Sequence, residues 1–178
     1  MVEVILKGRK FILRHVKMSD LKSYHKNLND KITAKMMMSQ PYPCSLAYTK
    51  KEIQEETKNY KSKKPEREAF VIDVNGKAVG KLDIKDISYG YSKHKAELGY
   101  WIGKEYRNKG IMTEAVKLFT SYSFKKYKLK RISLYTRSFN KASRRMVEKA
   151  GFKLEGILRK NKWKKGKYID DCIYAIVK

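Results

Sequence analysis

The chain is short of the residues that make many active sites easy to see. Among 178 residues there are two cysteines, three histidines and three prolines. Cys44 and Cys172 stand far apart and share no C-x-x-C spacing, so the expectation is two free thiols in a reducing compartment and no metal site. No run of 18 apolar residues occurs, which argues against a membrane-spanning helix. The opening stretch, "MVEVILKGRKFILRHV", alternates and carries charges throughout, without the continuous apolar segment of a signal peptide. A cytoplasmic protein with no membrane partner is expected. No repeat, low-complexity tract or Gly/Ser linker divides the chain, which reads as a single domain over residues 1–178 with its own core.

Acidic residues are the remaining shortage. Eighteen Asp and Glu face 43 Lys and Arg, a formal net charge of +25. The imbalance is concentrated in residues 121–170, with seventeen basic side chains against three acidic ones. Such a field attracts polyanions and repels polycations. General lysine enrichment, as in heat-adapted proteins, accounts for the same charge without any partner.

Periodicity organises the rest. "FILRHV" (11–16) reads as a first strand, and Ser19 as the N-cap of a helix carrying Leu21, Tyr24 and Leu28 at helical spacing. "MMMSQ" reads as a short helix, Pro41 and Pro43 mark a loop, and a second long helix starts at about Thr49. Met36 to Met38 suit irregular apolar packing, and a substrate contact by one of them is the other reading. "EAFVIDV" and "KAVGKLDI" alternate around Asn75-Gly76, a strong hairpin signal. "KAELGYWI" forms another strand, and a helix follows at about 111–127. "RISLYT", a helix from "KASRRMVEKA", and the strands "FKLEGIL" and "YIDDCIYAIV" close the chain. The order predicts a mixed α/β (α+β) domain with one central crossover unit.

Between the strand ending at Ile102 and the helix near 111 stands "RNKG". Arg107, Asn108 and Lys109 offer donors, and Gly110 permits a close approach or a backbone conformation that a side chain forbids. The first amides of the next helix have no intrahelical partner, and the positive end of its dipole faces the turn. Together they suit a pyrophosphate; a basic turn with solvated side chains is the plain alternative.

"RNKGIM" resembles the R/Q-x-x-G-x-G/A signature of the GNAT N-acetyltransferases, with Met112 in place of the final small residue, a departure that would crowd the turn slightly. "ELGYWIGKEYRNKG…TEA", "NKASRRMVEKAGFKLEGILR" and "GKYIDDCIY" are similar to successive blocks of the RimJ/RimL-type branch, in matching order. The resemblance covers nearly the whole chain, most firmly residues 95–175. It implies the GNAT fold: a central, mostly antiparallel, twisted sheet of six or seven strands with a splayed central pair, flanked by about four helices. It implies acetyl-CoA as cosubstrate, with the backbone of Tyr100, Trp101 and Ile102 pairing with the pantetheine arm. Amides from Arg107 through Asn108, Lys109, Gly110, Ile111 and Met112 to Thr113 would hold the pyrophosphate. Asn140 would contact the cofactor arm, a role compatible with an ordinary N-cap.

Acetyl transfer to an amine requires the amine to lose a proton, the carbonyl oxygen to be stabilised and the thiolate to leave; no metal is needed. Period-two alternation puts Leu98, Tyr100 and Ile102 on one strand face and Glu97, Gly99 and Trp101 on the other. Glu97 is the candidate base, or else a surface carboxylate paired with Lys95 or Lys81. Many GNAT enzymes carry a tyrosine seven residues after the helix-starting asparagine; here that position is Val147. Ser143, inside an apolar arc of Ala142, Met146, Val147 and Ala150, is the substitute donor to the departing sulfur, or else part of a cap with Asn140.

The branch implies a protein N-terminus as acceptor, ribosomal proteins included, and polyamines or aminoglycosides are the alternative amines. A non-enzymatic RNA binder on the same fold is the competing class. It would use "KKYKLKR" and "RKNKWKKGKY", with Tyr127, Trp163 and Tyr168 as stacking groups. Either a monomer or a homodimer is expected.

Overall fold

Two left-handed residues make the tightest turn of the fold. Asn75 (φ 52°) and Gly76 (φ 75°) close a two-residue hairpin between Glu68–Val74 and Lys77–Lys85, as the Asn-Gly pair requires. The computed structural model describes residues 4–62, 65–87 and 90–178. In chain order its strands are β1 (Ile5–Lys7), β2 (Ile12–His15), β3 (Glu68–Val74), β4 (Lys77–Lys85), β5 (Lys95–Ile102), β6 (Arg131–Arg137), β7 (Lys153–Lys164) and β8 (Lys167–Val177). The helices are α1 (Leu21–Leu28), α2 (Lys31–Met36), α3 (Leu46–Tyr60), α4 (Ile111–Tyr127) and α5 (Lys141–Lys149).

One sheet holds all these strands in the order β1-β2-β3-β4-β5-β6-β8-β7. Every neighbouring pair is antiparallel except β5 and β6. That parallel pairing lasts only from Lys95↔Arg131 to Glu97↔Ser133. Beyond it β5 stays with β4 as far as Gly80↔Ile102, and β6 stays with β8 as far as Arg137↔Asp171. The two strands therefore diverge, leaving one edge of β5 from Leu98 onward without a strand neighbour.

Alternation sorts β5 between two cores. Leu98 is buried, and Tyr100 and Ile102 pack, with Ile111, Met112, Ala115 and Phe119 of α4. Trp101 turns to the opposite face, among Tyr24, Leu28 and Ile53 of α1 and α3, and its ring meets Tyr24 edge-on at 5.0 Å.

Several boundaries differ from the sequence reading. The described residues contain eight strands rather than six or seven, and five α-helices rather than about four. Strand β1 precedes "FILRHV", and "RKNKWKKGKY", given no secondary structure by the sequence, belongs to the long β7–β8 hairpin. Ser19 does not cap α1: it lies within a 3-10 turn, Met18–Asp20, and the Asp20 carboxylate accepts from the Lys17 amide at 2.8 Å. Helix α3 starts at Leu46, because Ser45 Oγ accepts the Tyr48 amide at 3.1 Å. Ser88 and Tyr89 lie outside the described residues.

Candidate active site

The divergence of β5 from β6 opens a cavity on each side. The first, about 880 Å³, lies against α3, the loop after α2 and the β7–β8 hairpin. Its lining includes Met36 to Gln40, Glu52, Lys81, Asp83, Glu97, Trp101, Thr136 and Asn161. The second, about 530 Å³, runs over the start of α4 and one face of α5, past Asn108, Gly110 to Thr113, Ala142 and Met146. Both are lined by Met36, Met37, Tyr100, Trp101, Asn140 and Ser143, which mark where they meet.

The turn before α4 is shaped for an anion by its backbone. Asn108 (φ 59°) and Gly110 (φ 76°) are left-handed, and Gly110 is the N-cap, with no side chain to cover the first amides. A Cβ on Gly110 would meet nothing within 4 Å, so conformation rather than protein crowding requires glycine there. Met112, in the first turn of α4, packs into the core and also lines the second cavity. The Arg107 guanidinium leaves the turn for α2, donating to Asp30 Oδ2 at 2.6 Å and Thr33 Oγ1 at 2.7 Å. Burial pushes the Asp30 carboxyl up, but the bonds from Arg107 and Thr33 outweigh it and hold the carboxyl below its ordinary value. Lys109 is not part of the cavity lining, and its ammonium lies 5.8 Å from the Tyr106 ring centre. Arg107 is thus tied to α2 and Lys109 lies outside the lining, while Asn108 and Gly110 to Thr113 line the cavity.

At the junction, Asn140 caps α5, its Oδ1 accepting from the Ser143 amide at 3.2 Å. The Ser143 hydroxyl does not complete a reciprocal cap. It lies 2.6 Å from the Tyr100 hydroxyl. Burial is the main reason the Tyr100 phenol is pushed up to about 12, against the opposing bond from Ser143. It stays protonated at neutral pH. Ala142, placed in the apolar arc by periodicity, is exposed at the cleft, whereas Val147 and Ala150 are buried.

Glu97 lies where the strands begin to part. Its carboxylate meets Lys85 Nζ at 2.8 Å, not Lys95 or Lys81, because Lys85 is its register partner across β4. Gly99 leaves room for Asp83, whose Oδ1 would lie 2.7 Å from a Cβ built there. Lys81, buried, is shared by Glu52 (2.8 Å) and Glu56 (3.0 Å). The end of α2 is tied to β6 and β7: Arg137 donates to the Met36 carbonyl at 3.2 Å, and Lys164 to the carbonyls of Ala34 and Met37. Arg137 itself is held by the buried Asp171.

The Tyr100 hydroxyl, Asp30 and Gln40 were not among the side chains read as functional. Period-two alternation turns Tyr100 towards the following helix, but nothing in the local sequence brings its hydroxyl to Ser143 of α5 or marks the other two. Of the three aromatic residues read as RNA-stacking groups, Tyr127 turns inward to Glu68 at 2.7 Å. Trp163 and Tyr168 pack on one another at 4.7 Å and are about 60% exposed.

A strand pair that parts beside an uncapped helix start is the layout of one acyl-transfer fold, and the chain belongs to that family. The domain model described as "Acetyltransferase (GNAT) domain" matches residues 10–153. Among curated proteins, YjcK of Bacillus subtilis (strain 168), described as a probable N-acetyltransferase, is 45% identical over 82 residues, 46% of this chain and 45% of YjcK. Spermidine N(1)-acetyltransferase of Escherichia coli (strain K12) is 26% identical over 165 residues, 91% of this chain and 84% of that one. The chain spans about half the length of the more identical curated relatives it matches. Among solved structures, the ribosomal-protein-S5-alanine acetyltransferase from Vibrio fischeri superposes with a TM-score of 0.86 at 22% identity, covering 98% of this chain and 96% of that one, which shows the shared fold.

Proposed function

We propose that the chain is an acetyl-CoA-dependent N-acetyltransferase of the cytoplasm whose acceptor is the amino group of a protein N-terminus. The observation that carries the reading is the meeting of two cavities at Tyr100, Trp101, Asn140 and Ser143. One cavity has an amide-rich end suited to a diphosphate, and the other is open enough for a polypeptide end. A thioester laid along the free edge of β5 would bring its carbonyl to the junction.

In this account the amides of the turn, from Arg107 through Asn108, Lys109, Gly110, Ile111 and Met112 to Thr113, hold the diphosphate. The backbone of Tyr100 to Ile102 pairs with the pantetheine arm and supplies an amide to the developing oxyanion. Glu97 takes the proton from the arriving amine, directly or through water. The amine nitrogen bonds to the carbonyl carbon, the carbon–sulfur bond breaks, and Ser143 donates a hydrogen bond to the departing thiolate. Solvent supplies the final proton. Asn140 fixes the start of α5, which carries Ser143, and faces the cofactor arm.

A peptide acceptor suits one further feature. Trp101 Nε1 lies in the wall with no partner among the described residues, and an indole can only donate. A peptide offers it a carbonyl; a polyamine has no acceptor to give. The acidic wall around Glu52 and Asp83 favours a second reading, a polyamine acceptor, in keeping with the name of the E. coli relative. An acetyl-transfer screen over N-terminal peptides, polyamines and aminoglycosides, read by released CoA thiol, tests both: turnover of peptides carries the first reading, and turnover of polyamines alone replaces it. Docking of the basic surface on ribosomes belongs to the first reading. It predicts co-sedimentation with ribosomes that falls steeply with salt.

A further inference from the structure

Four side chains on the wall of the larger cavity carry buried polar atoms with neither a hydrogen-bond nor an ion-pair partner among the described residues: Gln40 Oε1, Glu52 Oε2, Trp101 Nε1 and Thr136 Oγ1. Arg67 Nε, in the same wall, makes no hydrogen bond but is ion-paired with Asp83 at 3.1 Å. A buried polar atom left idle is unfavourable, so several in one wall call for a ligand. Gln40 is 5% exposed, and its amide nitrogen donates to the Pro41 carbonyl at 3.3 Å, which leaves the side-chain oxygen unused. Glu52 Oε1 accepts from the Tyr24 hydroxyl at 2.9 Å and from Lys81 at 2.8 Å, leaving Oε2.

Charge in the cluster around Lys81 does not balance. Lys81 and Arg67 are divided among Glu52, Glu56 and Asp83, two cations for three carboxylates. This one excess carboxylate sits in a lining that elsewhere also carries Lys51, Lys85, Arg137 and Lys162. Three of the four idle atoms accept hydrogen bonds and one can only donate. Such a wall suits a cation rich in donors. A primary amine reaches a protein as an ammonium, with three N–H donors and a positive charge.

We propose that Gln40 Oε1, from the loop after α2, and Glu52 Oε2, from α3, form a subsite for the ammonium group of the acceptor. Lys81, the partner of Glu52, faces Trp101 across the β4–β5 register, so the subsite adjoins the junction of the two cavities. It is a place of arrival, setting acceptor affinity; the proton leaves later, at Glu97. Two sources share this chemistry, a peptide α-ammonium and a polyamine. The inference rests on the acetyl-transfer reading for the reaction, but binding alone tests it.

The test is calorimetric titration of the CoA-loaded protein with n-butylamine, spermidine, a tripeptide amide with a free N-terminus and its N-acetylated form. Wild type, Gln40→Leu and Glu52→Gln are compared. Gln40→Leu removes an idle polar atom from the core, so its Tm is expected to hold or rise while amine binding weakens about tenfold. Glu52→Gln is expected to weaken amine binding by a similar factor, and the N-acetylated peptide to bind poorly throughout. Which arm binds more tightly in wild type names the source. Unchanged amine affinity in both variants, or equal binding of free and acetylated peptides, overturns the subsite. Amine binding lost in the variants of a protein that transfers no acetyl group would uphold the subsite and fail the acetyl-transfer reading instead.

Discussion

The Tyr100 hydroxyl lies 2.6 Å from Ser143 Oγ, joining β5 to the first turn of α5 where the two cavities meet. Burial pushes the phenol up to about 12, so Tyr100 keeps its proton at neutral pH. Either hydroxyl can donate in this pair; in the proposed reaction Tyr100 donates, leaving Ser143 to direct its own hydrogen into the cleft. Tyr100→Phe and Ser143→Ala should each lower kcat roughly 100-fold, the lower end of what one positioned proton donor contributes. The double variant should lose little more than the worse single one, since both act through one hydrogen bond. Acetyl-CoA affinity should stay within about twofold in all three. Additive losses in kcat would separate the two residues.

Glu97→Gln keeps size and hydrogen bonding but cannot take a proton. Turnover should fall about 100-fold or more, while the rise in Tm on adding acetyl-CoA persists. A variant with near-normal turnover would return Glu97 to a surface partner of Lys85.

Asp30 ties the cofactor turn to α2, since its carboxylate accepts from Arg107 and from the Thr33 amide. The folded-state carboxyl is held below its ordinary value, so its contribution is present above that value and is lost as pH falls through the folded one. Asp30→Asn should cost about 1–2 kcal/mol at pH 7. It should also weaken CoA binding several-fold by loosening the turn, which calorimetry against CoA would read. The stability gap between variant and wild type should shrink below about pH 4.

Away from the site, Glu68 is 2% exposed by side chain and bonded to His15, Lys126, Tyr122 and Tyr127. Burial alone would raise its carboxyl; the bonds from His15, Lys126 and Tyr127 outweigh it and hold the group at about 2 instead of 4.5. That depression amounts to about 3 kcal/mol of stability at neutral pH, lost as pH falls from about 4.5 towards 2. Urea unfolding of wild type and Glu68→Gln should differ by that order at pH 7 and converge at pH 2.

Much of this architecture is written locally. Asn75-Gly76 fixes a hairpin by backbone conformation alone, and the apolar period of α4 and the alternation of β5 gave their observed limits, 111–127 and 95–102. The β7 strand was harder to read because it is a sheet edge, exposed along most of its length, so lysines replace the alternation that betrays a half-buried strand. Within the site, the residues near the turn were legible because a helix start has one chemistry wherever it occurs. The fate of the Arg107 side chain was not, because Asp30 lies 77 residues away and only folding brings them together. Tyr100 and Ser143 are likewise 43 residues apart, joined across a gap that exists because β5 and β6 part after Glu97.

The most direct measurement is a crystal structure with CoA bound. It should show the diphosphate on the amides between Asn108 and Thr113, the pantetheine along the free edge of β5, and the thiol within reach of Ser143 Oγ. A diphosphate bound elsewhere, or a thiol pointing away from the junction of the two cavities, would contradict the account.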